Sequence, residues 1–325
     1  MKRIIITGAS GLVATELTIR ILAETNACLY LLSTQPEIIK KRYLQSSERV
    51  FCFTLTSFAQ YIEQNRDIIS FDVCIHTAFS RSTNGNLIAE SLLYQQELLS
   101  ILKTTDLKIF ANISSQSVYG KMSEPLWTER TPVEPNYLYA MGKYSSEIIT
   151  KLMLEDTNIK WTNIRLCSVC ENARFVRVFI QNAIEGKPIH LTAPDQQCSF
   201  IEVQDVADAL VKFIKYADNI NLMEVYNLGA NLVNTIGDIA LKVKNIGETK
   251  YGLPSIIITE SESDNNVRIG MDSNLFMQTF NWVPQRDMND MIIEMYEMLT
   301  NVNGGGYPLS FKLVYKLKSE RKAVF

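Results

Sequence analysis

Residues 3–14 read RIIITGASGLVA, and this stretch decides the fold. Its consecutive isoleucines predict a short buried strand that ends at Gly8. Apolar residues then recur at spacings of three to five from Leu12 to Leu22, which predicts a helix. A strand, a glycine turn and a helix in this order indicate the first unit of a parallel sheet.

The glycine turn has the composition of a phosphate-binding loop. Gly8 provides the tight turn, Gly11 lets a ligand approach the backbone, and Ala14 is small enough for a helix to pack on a sheet. The amide groups and the positive dipole end of such a helix bind a dinucleotide pyrophosphate. A plain strand-to-helix turn is the alternative, but the position directly after a first strand favours the dinucleotide site.

Strand and helix patterns alternate from this turn to about residue 170. Apolar runs such as CLYLL at 28–32 and LKIFANISS at 107–115 alternate with long amphipathic stretches, among them 86–104 and 137–155. The alternation predicts an α/β protein: a Rossmann-type doubly wound parallel sheet with a smaller mixed α/β C-terminal substrate lobe.

The change of pattern after residue 170 predicts two regions. Residues 1–168 form a dinucleotide-binding Rossmann domain, with return segments near 200–230. Residues 169–325 form mainly the substrate-binding lobe and a C-terminal tail, in which five basic residues accompany a single acid. A solvated terminus explains this tail better than contact with a membrane surface.

The composition excludes several classes of protein. A chain of 325 residues that is 46 % hydrophobic can bury a large core, and its formal charge of −3 gives no basic field for nucleic acid. The N-terminal apolar run is too short for a signal peptide or a membrane span, which predicts a cytoplasmic protein. Six dispersed cysteines and two histidines predict reduced core thiols and no metal site.

Residues 139–143, YAMGK, place a phenol and an amine four residues apart on one helix face. An ammonium group near Tyr139 would lower the pKa of the phenol, so that it could exchange a proton with a carbinol oxygen. Ser114, Ser115 and Ser117 follow an apolar strand at its carboxyl end, where parallel sheets bind ligands. Together with the glycine turn, these groups indicate hydride-transfer chemistry, in which a proton moves at oxygen.

The chain resembles the extended short-chain dehydrogenases/reductases of the NAD-dependent epimerase/dehydratase type over most of its length. The resemblance implies a catalytic triad of Ser115, Tyr139 and Lys143, with Lys143 also holding the nicotinamide ribose. It also implies a homodimer that forms through a four-helix bundle of stretches 86–104 and 137–155. The segments that carry the resemblance are TGASGLVA, DVCIHTA, SSQSVYG, YAMGKYSSE, IRLCSVCE, SFIEVQDVADAL and FNWVPQRDMNDMI.

The resemblance further implies which residues contact the ligands. The expected cofactor contacts are Thr7, Gly8, Ser10, Gly11, Leu12, Val13, Ser33, Thr34, Thr54, Leu55, Thr77, Ala78, Phe79, Ser114, Tyr139, Lys143, Leu166, Ser168 and Val169. The expected substrate contacts are Ser80, Gln116, Ser117, Tyr119, Ser168, Arg177 and Cys198. Core packing explains Tyr119 equally well.

The end of the second predicted strand bears on the choice of cofactor. A carboxylate there would accept from the 2′-hydroxyl of NAD, but this chain has Ser33 and Thr34, with basic residues at 40–42. These residues favour NADP over NAD, although a lysine-rich helix is also an ordinary solvated surface.

Departures from the family pattern concern the substrate and the reaction. Cys198 replaces an expected arginine, and the stretch 258–266 is acidic where a diphosphate-binding arginine is expected. Arg174, Arg177, Lys187 and Arg268 are the candidates to replace it. Gln116 and Ser117 follow Ser115 in place of the Asp-Glu pair of the family's dehydratases, which argues against dehydration.

Three functions remain open. The first is an NAD(P)-dependent hydride-transfer enzyme that acts on a sugar as a keto-sugar reductase or an epimerase, with a nucleotide-linked sugar favoured. The second is an NADP-dependent reductase of a small non-nucleotide carbonyl compound. The third is a non-catalytic dinucleotide-binding sensor, which the intact Ser115, Tyr139 and Lys143 disfavour.

Overall fold

The computed structural model describes most of the chain. The basic tail and Arg268, both considered in the sequence, lie outside the described residues, as do positions 261–266 of the acidic stretch. The described residues are 1–65, 69–120, 126–260 and 269–300.

Twelve strands are present among the described residues. They are β1 (Arg3–Thr7), β2 (Cys28–Leu32), β3 (Val50–Phe53), β4 (Ser70–His76), β5 (Asp106–Ser115), β6 (Lys160–Leu166), β7 (Ser168–Val169), β8 (Ile189–Leu191), β9 (Gln197–Ile201), β10 (Val225–Leu228), β11 (Val233–Thr235) and β12 (Ile258–Glu260).

The same ranges contain ten α-helices and several shorter turns of helix, of which Gln116–Tyr119 bears on the site. The α-helices are α1 (Leu12–Glu24), α2 (Pro36–Arg42), α3 (Leu55–Asn65), α4 (Gly85–Leu102), α5 (Leu138–Leu154), α6 (Arg174–Ile184), α7 (Val203–Tyr216), α8 (Ile236–Lys250), α9 (Asn274–Phe280) and α10 (Met288–Thr300). None of these helices combines the length and apolar content that crossing a bilayer requires.

Seven strands form one parallel sheet in the order β10-β6-β5-β4-β1-β2-β3. The central strands β1 and β4 are buried along nearly their whole length, because helices flank the sheet. This architecture confirms the predicted Rossmann-type α/β fold. Strands β2 and β3 lie on one side of β1, and β4, β5, β6 and β10 lie on the other. The crevice at the carboxyl ends of β1 and β4 is therefore the topological switch point, where such sheets bind ligands.

Segments after residue 168 contribute both to this sheet and to a second, smaller core. The edge strand β10 pairs with β6, and α7 packs against α1. A three-stranded sheet, β11-β9-β7, and a two-stranded sheet, β12-β8, pack with α6, α8 and α10 around a separate apolar cluster. The division into a Rossmann domain and a substrate lobe at residue 168 stays a prediction.

Candidate functional site

The first turn of the chain is built around two glycines. Gly8 has a φ of +65°, and a Cβ atom at this position would lie 2.9 Å from the backbone of Ala78. The Gly11 amide donates to the Gly8 carbonyl at 2.8 Å, and Gly11 caps α1 without a side chain. Ala14 is fully buried between this helix and the sheet. A Cβ would therefore fill the cradle at the start of α1, which is the shape that a dinucleotide pyrophosphate requires.

Thr7 and His76 form a hydrogen bond at the carboxyl ends of β1 and β4, next to the crevice. The Thr7 hydroxyl and His76 Nδ1 are 2.8 Å apart, and the Ala78 amide donates to the same hydroxyl at 3.2 Å. Burial lowers the pKa of His76 to about 3, so this imidazole is neutral at physiological pH. Thr7 thus organises the strand ends, and His76 is the hydrogen-bonded core histidine that a buried strand position favours.

A cavity of about 850 Å³ opens at the carboxyl ends of β1, β4, β5 and β6. It brings together residues that lie far apart in the sequence, from Ser10 to Ile269. Sixteen predicted contacts line it: Ser10, Gly11, Leu12, Val13, Thr77, Phe79, Ser114, Ser115, Gln116, Ser117, Tyr139, Lys143, Leu166, Ser168, Val169 and Arg177.

Ser115 ends β5, and Tyr139 and Lys143 lie on the first two turns of α5, so all three project into this cavity. Burial raises the pKa of the Tyr139 phenol, whereas the positive charge of Arg81 and the Ser115 hydroxyl lower it. Burial outweighs both effects, and the net pKa of Tyr139 is raised above its ordinary value. The expectation of a phenol made acidic by the neighbouring lysine is therefore wrong for this arrangement of the side chains.

The Lys143 ammonium contacts the backbone of β5 and an aromatic ring. Its Nζ donates to the Ile113 carbonyl at 2.7 Å and lies 4.3 Å from the centre of the Phe79 ring. Burial lowers the pKa of Lys143 to about 7; the Glu147 carboxylate raises it, and Arg81 lowers it. Lys143 thus changes its charge near neutral pH, within the cavity.

A buried network connects α5, β5 and β6 behind the cavity. The Ser114 hydroxyl donates to Glu147 Oε1 at 2.5 Å, and Arg165 donates to the same carboxylate through Nε at 3.0 Å and Nη2 at 2.8 Å. The Arg165 guanidinium lies 4.8 Å from the Tyr119 ring, whose hydroxyl donates to Asn227 at 2.7 Å. Tyr119 is fully buried and does not line the cavity, so core packing describes its position.

Other predicted contacts also lie outside the cavity lining. Cys198 is buried on β9, where its thiol faces the Asn234 carbonyl at 3.4 Å in the second core. The Ser80 amide donates to the Ser91 hydroxyl on α4 at 3.0 Å. The remaining predicted residues outside the lining belong to the first turn or to the ends of β1 to β4: Thr7, Gly8, Ser33, Thr34, Thr54, Leu55 and Ala78.

The hydroxyls after β2 and β3 are engaged in local turns. Ser33 Oγ accepts from the Gln35 amide at 3.1 Å, and Thr54 Oγ1 accepts from the Ser57 amide at 3.1 Å at the start of α3. These contacts order the edge of the crevice next to the glycine turn.

Several lining residues were missed in the sequence, and Arg81 is the most informative of them. It follows β4 by five residues, so its place after a strand end was the available signal. Glu171 has a buried carboxylate whose Oε1 accepts from the Val203 amide at 3.0 Å, and burial raises its pKa. Further missed residues are Ile113, Gly120, Trp127, Asn136, Tyr137, Asn172, Gln196 and Ile269.

Known proteins resemble this chain in sequence and in fold. A curated relative, the low-salt glycan biosynthesis protein Agl12 of Haloferax volcanii, is 21 % identical over 228 residues, which are 69 % of this chain and 72 % of the relative. The structure of UDP-glucuronic acid 4-epimerase from Bacillus cereus, with UDP-glucuronic acid and NAD, has a TM-score of 0.74 at 19 % identity and covers 92 % of this chain and 99 % of that one.

A dTDP-glucose 4,6-dehydratase from Bacillus anthracis, in complex with NAD, has a TM-score of 0.73 at 16 % identity, with coverage of 93 % and 98 %. At such identities these structures show the shared fold. The family model for the NAD dependent epimerase/dehydratase family matches residues 4–229, which include the glycine turn and the Ser115, Tyr139 and Lys143 positions. Since this match spans more than half of the chain, the protein belongs to the NAD dependent epimerase/dehydratase family.

Proposed function

We propose that this protein is an NAD(P)-dependent hydride-transfer enzyme that acts on a nucleotide-linked sugar, as an epimerase or a keto-sugar reductase. One observation carries the proposal: the glycine cradle at α1 and the side chains of Ser115, Tyr139 and Lys143 face a single cavity. A pyrophosphate and a reacting carbinol oxygen could both be bound there.

The chain's own groups would manage the proton at the sugar oxygen. Ser115 and Tyr139, which line the same cavity, would both contact that oxygen, and Tyr139 would give or take the proton. The nicotinamide of a bound cofactor would supply or accept the hydride on the adjoining carbon. Because the Tyr139 pKa is raised, the resting phenol is neutral and suited to donate a proton to a ketone oxygen.

Two features support a nucleotide-linked substrate. Similar solved structures are named for enzymes of UDP-glucuronic acid and dTDP-glucose. Arg174 and Arg177 both line the cavity from the first turn of α6, where guanidinium groups can hold a diphosphate. The residues after Ser115 are Gln116 and Ser117, so no carboxylic acid is present there to expel water, and epimerisation or reduction fits better than dehydration.

The cofactor proposed is NADP or NAD, with NADP favoured. No carboxylate stands at Ser33 or Thr34 to accept from a ribose 2′-hydroxyl or to repel a 2′-phosphate. Arg42 lies near this edge, because its Nη1 donates to the Thr15 hydroxyl on α1 at 3.4 Å. Its guanidinium group would attract a 2′-phosphate.

A homodimer through α4 and α5 is also proposed. The two helices pack against each other and leave large apolar side chains exposed, such as Leu93 at 58 % and Leu152 at 74 %. A matching pair of helices from a second copy would cover these side chains in a four-helix bundle. We expect the dimer to work in the cytoplasm.

Turnover tests the proposal directly. The full chain is incubated with NAD and UDP-glucose, UDP-glucuronic acid or dTDP-glucose to test epimerisation, and with NADPH and a 4-keto nucleotide sugar to test reduction. The sugar products are separated by chromatography. We expect one of the three sugars to be epimerised or the keto sugar to be reduced, and Tyr139→Phe to lower the rate by about 100-fold or more. Tyr137→Phe, a neighbouring phenol at a ring distance of 6.4 Å, is the matched control and should change the rate by only a few-fold.

The other outcomes separate the rival functions. Reaction of non-nucleotide ketones alone would favour the small-carbonyl reductase, and Glu171 in the cavity lining would then explain the poor fit of a diphosphate. Cofactor binding without any turnover would favour a sensor. An unchanged rate in Tyr139→Phe would overturn the catalytic assignment.

A further inference from the structure

A buried pair of opposite charges lies directly behind the catalytic face of α5. Glu147 and Arg165 are only 4 % and 5 % exposed, and their closest contact is 2.8 Å between Oε2 and Nη2. Glu147 follows Lys143 by one helical turn, and Lys143 is itself only 5 % exposed. Three charged groups are therefore enclosed within one region of the fold.

The charged groups on α5 contact the end of β5 at two points. The Ser114 hydroxyl donates to Glu147, and the Lys143 ammonium donates to the carbonyl of the preceding residue, Ile113. The residue after Ser114 is Ser115, which presents its hydroxyl to the cavity. A displacement of the Glu147 carboxylate would therefore be transmitted to both Lys143 and Ser115.

The surroundings of Lys143 make Glu147 its main source of negative charge. The charged or titratable groups around Lys143 are Glu147 and Tyr139 on the same helix, His76 on β4, Arg81 after β4, and Arg165 from β6 behind the carboxylate. His76 is neutral because its pKa is about 3, and Arg81 disfavours the ammonium form. Of this set, Glu147 is the group that favours it.

Arg165 interacts directly with the Glu147 carboxylate. A carboxylate at this depth needs hydrogen-bond partners, because burial without them is costly. Two guanidinium hydrogen bonds and the Ser114 hydroxyl satisfy the Glu147 carboxylate and fix its orientation. The carboxylate is thereby held one helical turn away from the amine.

We propose that Glu147 is a positioning residue for the reaction: its carboxylate, one helical turn from Lys143, favours the ammonium form of that amine and, through Ser114, holds Ser115 at the end of β5. Arg165 pairs with that carboxylate and fixes its orientation. The inference rests on the proposed function, because a charged Lys143 matters where a substrate oxygen gains or loses charge. Glu147 itself faces the strands, so it acts through its neighbours without touching the substrate.

The charge of Lys143 can be measured without turnover. Only the neutral amine reacts with acetic anhydride, so brief labelling of the full chain between pH 5.5 and 9, read by peptide mass spectrometry, gives the protonation midpoint of Lys143. In the wild type this midpoint should lie near pH 7, the value to which burial lowers the pKa. In Glu147→Gln it should fall by a unit or more, so that labelling at pH 5.5 rises about tenfold.

The same helix offers a matched control. Glu155 follows Lys151 by four residues at 4.0 Å, as Glu147 follows Lys143, but this pair is exposed. Glu155→Gln should leave the Lys143 midpoint and turnover unchanged. Because Glu147→Gln strands a buried guanidinium, the double variant Glu147→Gln/Arg165→Met removes both charges, a replacement that folded proteins often tolerate. Its Lys143 midpoint should fall as well.

The proposal is overturned if Glu147→Gln keeps the wild-type midpoint, or if the double variant folds and keeps it. A lowered midpoint in the double variant supports it. Labelling measures the protonation midpoint of Lys143 whether or not a nucleotide sugar is turned over. A failure of the proposed function would appear only in the turnover assay. Where turnover is measured, the pH profile of kcat should move with the labelling midpoint, and Glu147→Asp should restore part of it.

Discussion

A Cβ atom on Gly8 would lie 2.9 Å from both the Cα and the amide nitrogen of Ala78, so the first turn and the end of β4 meet backbone to backbone. The contact closes the floor of the crevice between the two central strands. Gly8 also has a φ of +65°, which an L-residue adopts only at a cost.

Gly8→Ala should therefore lower both stability and cofactor affinity. We expect a loss of about 2–5 kcal/mol in the free energy of unfolding, from the left-handed backbone and the clash together, measured by urea denaturation. Gly186→Ala is the control, because Gly186 has a φ of +67° but no atom within 4 Å of its Cβ position. It should cost only about 1–2 kcal/mol and leave NADPH fluorescence titrations unchanged. Equal losses in the two variants would contradict the backbone contact.

Arg81 provides the second prediction, since its positive charge favours the phenolate of Tyr139. Arg81→Ala should raise the pKa of Tyr139 further, so the phenolate absorbance would appear at higher pH. Subtracting the spectrum of the same variant with Tyr139→Phe isolates this phenol. Arg81→Lys keeps the charge and should restore most of the wild-type curve. If Arg81→Ala and the wild type had the same phenolate titration curve, the interaction between Arg81 and Tyr139 would be excluded.

The third prediction concerns Glu202, a carboxyl that is 1 % exposed and caps α7 by accepting from the Gln204 amide at 2.6 Å. Burial, together with the neighbouring Glu171, raises the Glu202 pKa from 4.5 to about 9. The folded chain thus holds a proton that the unfolded chain releases above about pH 4.5. The free energy of unfolding should therefore fall as pH rises from about 4.5 to about 9, by up to about 1.4 kcal/mol per pH unit.

Glu202→Gln cannot ionise but still offers an acceptor for the cap, so it should flatten this part of the stability curve. The control is Glu37→Gln on the exposed surface of α2, which should keep the wild-type slope. Denaturant titrations at five or six pH values would measure both. If Glu202→Gln retained the full slope, another group would be responsible for it.

The fourth prediction tests the proposed dimer. Leu152→Glu puts a charge at the most exposed large apolar side chain of α5, so burying it against a second copy would become unfavourable. Light scattering should show twice the mass of the chain for the wild type and a single chain for the variant. Leu44→Glu, at a position that is 62 % exposed but remote in sequence from α4 and α5, should stay dimeric. A monomeric wild type would refute the proposal.

Much of the architecture could be predicted from the sequence, because local patterns encode it. Buried parallel strands need continuous apolar runs, and the runs at 28–32 and 107–115 lie within observed strands β2 and β5. The glycine spacing predicted the turn before α1, and the four-residue spacing of Tyr139 and Lys143 placed both on α5. Motif spacing thus located most of the residues that line the cavity.

Side-chain environments were harder to predict. Tyr119 and Cys198 stand in motif positions that suggest ligand contacts, yet both are buried outside the cavity lining. Arg81 belongs to no recognised motif, but it lines the cavity and acts on both Tyr139 and Lys143. Sequence separation gives no information about such distances through space.

The sequence by itself determined the order of strands and helices, the glycine turn and the identity of the hydroxyl, phenol and amine groups. Only the tertiary structure decided their charge states: it raised the pKa of Tyr139, lowered that of Lys143 and placed Glu147 between Ser114 and Arg165. The physical reason is that hydrophobic periodicity is a local property of the chain. A pKa depends on desolvation and on charges that folding brings together from distant segments.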